Sequence, residues 1–371
     1  MGKCLVKKYT GSSANNSSLL RVGEFIIKKQ KVVSPTKDTQ SFNVGVKFDT
    51  DINIMGNGFF TNENLSENQG ASLKRTNSSV GSLYVNNADD INISVLNKYN
   101  IESLSCMSDS FTFNIDELKY SQYLTYLYLV NHCSKGDISS LKNCYALNTL
   151  ILNSGSDIYG DIASLRELAS LTKINLYGAK LNGSLDSLST LTKLTELNLF
   201  NAAGSDIYGD IASLKGLTNL ATINLYGAKV NGSLDSLSAL TKLNNIVIQN
   251  LSGSIDSLRN LSKLVYLSIN GGTFTGDLAL LPPTCNFVSF NGDNGSILSW
   301  SSRSPSAKIL TIEGFPNITN IDKALQDEAN CTAPDSVSRK VIEIKGSRTS
   351  ASDAAVQTLQ SKGYTVSITP A

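Results

Sequence analysis

Two stretches decide the reading of this chain: INLYGAKLNGSLDSL, residues 174–188, and INLYGAKVNGSLDSL, residues 223–237. They differ only at Leu181 against Val230, and the second begins 49 residues after the first. Chemistry needs a unique constellation of groups, so a segment written twice points to an architecture rather than to an active site. Each copy opens on an apolar–Asn–apolar triplet, Ile174-Asn175-Leu176 and Ile223-Asn224-Leu225. Alternation of period two puts both apolar side chains on one side of a strand.

The same frame extends in both directions. Glycines opening a G-[DS]-[IL] triplet fall at Gly136, Gly160, Gly183, Gly209, Gly232, Gly253 and Gly276, with spacings of 24, 23, 26, 23, 21 and 23. The apolar pattern LxxLxxLxxLxL fits residues 188–199, 214–225, 237–248, 258–269 and 165–176, and with small exceptions 141–152 and 118–129. A repeat of 20–29 residues with this pattern is one strand plus a helical or 3₁₀ return. One unit alone exposes its apolar face, and stacking neighbours buries it. The expectation is an α/β solenoid with seven strands in a parallel sheet on the concave face, and an irregular eighth near 288–290.

These residues resemble the leucine-rich repeat superfamily, most closely the internalin-like layout in LTKLTELNL (191–199) and LRNLSKLVYLSI (258–269). The resemblance covers about residues 115–290. Many members carry an Asn five residues after the first strand leucine, whose amide bonds the turn backbone. Here the equivalent positions are His132, Gly155, Ala179, Ala202, Ala228, Leu251 and Gly272, so that ladder is absent. Backbone–backbone bonds are expected in its place. The sole histidine, His132, takes one of these structural positions.

Outside the repeats the pattern changes. In residues 1–110, GEFIIKK, QSFNVGVKFDTDINI and GSLYVNNADDINISVL are β-branched or alternating runs parted by Gly, Asn and Asp, the signature of a small β-rich domain that is expected to cap the array. Residues 1–37 hold eight Lys/Arg and one acid, which suits either a solvated face or a surface for an acidic partner. Residues 111–300 are the solenoid. Residues 301–371 read as a C-terminal α/β cap, with strands in AKILTIEG, KVIEIKG and GYTVSIT and a helix over 350–362. Open solenoid ends require such covers.

The opening KCLVKKYTGSSANNSSLLRVGE, the GDIASL repeats and the closing RTSASDAAVQTLQSKGYTVSI resemble leucine-rich-repeat proteins of gut Bacteroidetes bacteria and their crAss-like phages. For phage members the resemblance implies a virion component, a head or tail fibre or decoration protein assembled in the host cytoplasm. Residues 1–110 would dock on other virion proteins, and the solenoid would face a host glycan, a host protein or another subunit. A fibre would be a homotrimer, although no heptad run enforces one. The alternative is a bacterial adhesin or protein-interaction scaffold at the cell surface or in the cytoplasm.

Composition narrows the classes. Lys+Arg 32 against Asp+Glu 31 leaves a net charge of +1, with no nucleic-acid signature. No run of about 18 apolar residues offers a membrane-spanning helix, and the N-terminus lacks a secretory apolar core. Six scattered cysteines without a CxxC pair read as reduced thiols. No phosphate loop, GxSxG or HExxH is present, and one histidine rules against a triad or a His-based metal site. The expectation is no enzyme, no cofactor and no metal. The recurring Asp161, Asp186, Asp210, Asp235 and Asp256 are expected to cap the convex turns.

That leaves the outward positions of the strands. They form columns containing Tyr126, Tyr128 and Tyr266, an amide row Asn175, Asn198 and Asn224, and an aromatic row Tyr177, Phe200 and Tyr226. Two readings stay open: a recognition surface, with aromatic faces stacking on sugar rings or anchoring a protein, or cross-strand ladders that only stabilise the sheet.

Overall fold

The computed structural model describes residues 102–370 except 107–110, 131–133, 154–156, 201–205, 292–295, 315 and 334–337, and the backbone of short strands before them. The repeat strands Tyr126–Val130, Thr149–Asn153, Lys173–Asn175, Glu196–Asn198, Thr222–Asn224, Asn245–Gln249 and Tyr266–Asn270 pair in parallel, each with the next in the chain. Phe287–Asn291 joins them over five paired residues, so the eighth strand is regular rather than irregular. The molecule is a leucine-rich-repeat solenoid, with this sheet on its concave side.

The sheet runs through both ends of the repeat region. Ile101–Cys106 pairs in parallel with Tyr126–Val130 and antiparallel with Gln40–Val46. At the other end Thr311–Glu313, Val341–Lys345 and Thr365–Thr369 continue it in parallel. The remaining N-terminal strands include an antiparallel trio, Thr50–Met55, Ser72–Arg75 and Asn92–Val95. Most of the basic stretch 1–37 lies outside the described residues, as does His132.

A second sheet forms where the G-[DS] triplets stand. Phe111–Asn114, Ser134–Asp137, Asp157–Asp161, Lys180–Ser184, Asp206–Asp210 and Lys229–Asn231 pair in parallel. Each of the first five leads directly into a 3₁₀ turn, such as Ile138–Leu141 and Ile162–Leu165. Between the two sheets lies a continuous apolar core, with Leu150, Leu152, Ile174, Leu197, Ile223 and Leu240 fully buried.

The triplet's chemistry explains its recurrence. Asp137 caps its turn by accepting from Ser139 N–H at 2.8 Å, and Asp161 and Asp210 do the same for Ala163 and Ala212. Where the triplet reads G-S, the serine is the cap: Ser184, Ser233 and Ser254 accept from the N–H of Asp186, Asp235 and Asp256. Those three aspartates are therefore not caps. Asp186 instead accepts from Ser213 Oγ, and Asp256 from Asp277 N–H at 2.7 Å, both in the following repeat. The glycine makes room for this. Gly160 sits at φ +115°, and a Cβ there would lie 2.5 Å from Asp137 Oδ1.

The C-terminal region adds a helix that the sequence reading did not identify, Ile321–Asn330, packed against Asp353–Ser361. Its Glu328 is buried beside Arg303, with Nε and Oε1 3.2 Å apart but not aligned for a hydrogen bond. Arg303 also donates to the carbonyls of Leu281, Cys285 and Lys308, and Glu328 accepts from Leu310 N–H at 2.7 Å. Asp327 accepts from Trp300 Nε1 at 3.0 Å. This buried polar hub ties the helix to the last repeats.

Candidate functional site

Strand alternation sends Leu176, Leu199 and Leu225 inward and leaves Asn175, Asn198 and Asn224 on the concave surface. Parallel register sets these asparagines side by side, Asn175 opposite Asn198 and Asn198 opposite Asn224. Each Asn Oδ1 accepts the backbone N–H two residues on, from Tyr177 at 3.3 Å, Phe200 at 3.1 Å and Tyr226 at 3.3 Å. Asn side chains favour such local turns at strand exits. So the amide row has a structural part, but through local turn bonds rather than through bonds between strands.

At two of these positions the turn closes through the backbone, Ala179 N–H donating to Leu176 O and Ala228 N–H to Leu225 O, while Gly178 N–H reaches Phe200 O of the next repeat. Gln249 adds a side-chain bond of its own, its amide accepting from Gly227 N–H at 3.0 Å and donating to Ala228 O at 2.8 Å. Gly155 and Ala202, read as equivalent positions, lie outside the described residues.

The aromatic row is one stack. Tyr177 and Phe200 have centroids 4.7 Å apart with planes 6° from parallel, and Phe200 and Tyr226 are 5.2 Å and 16° apart. Both faces of Phe200 are covered, which leaves its edge and the outer faces of Tyr177 and Tyr226 to solvent. The three rings thus stack on one another across the strands, and the face of Phe200 is not open to a ligand.

The other chosen tyrosines lie elsewhere on the same face. Tyr126 and Tyr128 share one strand with rings 6.1 Å apart, and burial, then the neighbouring Tyr128, raises the Tyr126 phenol pKa. Tyr266 stacks on Phe287 at 4.3 Å, a partner the sequence reading had not included. Burial and then Glu313 raise the Tyr266 pKa, against a bond with Ser268. An open hollow of about 470 Å³ borders Tyr126, lined by Thr125, Ala146, Asn148, Ser170, Thr172 and Lys193.

Charge is sparse on the repeat strands themselves. On the seven repeat strands the outward charges are Lys173 and Glu196, which pair at 3.6 Å. Among the described residues no group of three or more His, Cys, Asp or Glu is placed to hold a metal, and no helix is long and apolar enough to cross a membrane.

No protein-family model matches the chain, and no curated protein matches it in sequence. Solved structures similar to it include a plant ice-binding protein, at 21% identity and TM-score 0.40 over 50% of this chain and 62% of that one. Another is the leucine-rich-repeat ectodomain of the Arabidopsis receptor kinase HAESA with an N-terminally extended IDA peptide hormone, at 18% identity and TM-score 0.45 over 69% and 52%. A third is PEPR1–AtPEP1, at 18% identity and TM-score 0.43 over 73% and 45%. The chain spans less than two thirds of the length of each. By its own repeats and its own sheets, this chain has the leucine-rich-repeat fold.

Proposed function

We propose that the protein is a non-catalytic recognition module that binds a neutral macromolecular ligand on its concave face. The carrying observation is a broad surface of amides, hydroxyls and aromatic edges on which the one cation and the one anion of the repeat strands neutralise each other. A rigid solenoid holds such groups at fixed spacing, so little ordering cost falls on binding. The test is a screen of the purified chain on arrays of peptides and neutral glycans, with Val247→Arg beside it. Val247 is half-buried next to Asn224 on this face. Binding that survives the arginine unchanged would remove the face from the function.

The resemblance of the opening segment, the GDIASL repeats and the closing segment to phage leucine-rich-repeat proteins supports a finer reading, in which the module sits in a virion through residues 1–110 and displays the solenoid. Mass spectrometry of purified virions tests this placement. Consistent absence of the chain would leave the adhesin or scaffold reading in its place.

A further inference from the structure

The asparagine row carries directional information that its composition does not. In each of Asn175, Asn198 and Asn224 the atom facing a backbone N–H must be the oxygen, because two donors cannot bond each other. Locking Oδ1 into the turn fixes Nδ2 on the other side of the amide, and none of the three Nδ2 groups bonds a described residue. The column therefore offers an Nδ2 donor from one amide on each of three neighbouring strands, with strands about 4.8 Å apart. Beside it runs the apolar ridge of Tyr177, Phe200 and Tyr226.

A complementary ligand lies along the solenoid axis, offers acceptor oxygens at nearly that interval, and carries no charge to desolvate. A peptide backbone fits poorly: an extended chain repeats its same-side carbonyls about every 6.6 Å, and polyproline II about every 9 Å. In an extended chain of β-1,4-linked pyranoses each ring is turned over from the last, so one edge offers the hydroxyl oxygens of one sugar and then the ring-oxygen side of the next, an acceptor for each ring at a step close to the strand spacing. We infer that the concave face binds a neutral β-linked polysaccharide chain lying across the strands, with Asn175, Asn198 and Asn224 as donors to successive sugar units. This rests on the recognition reading above. Binding here is by sugar edges to amides, with the ring stack as a rail.

The test is native affinity electrophoresis of the full chain in gels cast with hydroxyethyl cellulose, xylan or mixed-linkage β-glucan, with the α-linked glycogen as comparison. Asn198→Asp separates the two roles of its residue, since the carboxylate keeps an acceptor for Phe200 N–H and deletes the outward donor. Retardation by a β-linked polymer, weakened on the order of tenfold in Asn198→Asp at unchanged melting temperature, is the expected result for one lost hydrogen bond and an added repulsive oxygen. Asn175→Asp repeats the measurement one strand away, should Asn198→Asp lose its fold. Retardation undiminished in folded aspartate variants would overturn the proposal. So would no retardation by any β-linked polymer, or retardation by glycogen alone. Array binding to peptides that Val247→Arg abolishes, without retardation by any polysaccharide, would overturn the glycan and leave the recognition reading standing.

Discussion

Asp137 of one repeat fills the space that a side chain on Gly160 of the next would need, with its Oδ1 2.5 Å from the place of that missing Cβ. The same carboxylate caps its own 3₁₀ turn through Ser139 N–H, so a single oxygen serves both the turn and the stacking of neighbours. Gly160→Ala is expected to cost about 1–2 kcal/mol for a left-handed alanine and more for the clash. Asp137→Ala should cost about 1 kcal/mol through the lost cap. Denaturant unfolding of both single variants and the double checks this. Because Asp137→Ala removes the clashing oxygen, the double variant should lose less than the sum.

The repeat was legible because a solenoid core demands a leucine at each inward position, and burial of Leu197 or Ile223 leaves that demand in the sequence. The second sheet was not. A strand such as KLNGS has one apolar residue, Leu181, and glycine next to the cap looks like a turn. The helix Ile321–Asn330 was hidden by its own core, where Asp327 and Glu328 occupy positions that a pattern search expects to be apolar. For the candidate site, periodicity placed the columns but not the ring orientation. Mutual stacking of Tyr177, Phe200 and Tyr226 depends on side-chain rotation, on which sequence is silent.

The buried hub gives a dependence on pH. Burial, against the pull of Arg303, pushes the Glu328 carboxyl from 4.5 up to about 7. The folded value lies above the unfolded one, so the folded chain holds that proton more tightly. The stabilisation is complete below pH 4.5 and is lost as pH rises through about 7. Glu328→Gln should flatten this fall in unfolding free energy between pH 5 and 8. An unchanged slope would assign the dependence to other groups. Arg303→Met should cost about 1–3 kcal/mol by leaving three buried carbonyls without their donor, with Glu328 holding its proton to still higher pH once the cation is gone.

Thiol chemistry should divide the cysteines. Burial pushes the Cys144 and Cys331 thiols up to about 12 and Cys285 up to about 11, and thiolates are the reactive form. Peptide mapping after iodoacetamide is expected to leave these three unmodified in the native chain and to modify them in denaturant.

The ring stack has a stability consequence independent of binding. Phe200→Ala removes both stacked pairs, each contributing about 0.5–1.5 kcal/mol beyond its buried area. A loss of about 1–3 kcal/mol in denaturant unfolding is expected. Phe200→Leu, which keeps apolar volume without a ring face, should recover only part of it.

The central claim is recognition on the concave face, and it is tested most directly by the affinity of the best array ligand for the native chain and for Val247→Arg. The expected result is binding at least about tenfold weaker in the variant, at an unchanged melting temperature, because one large cation has entered a surface whose own charges are paired. Equal affinity in the two proteins would contradict it.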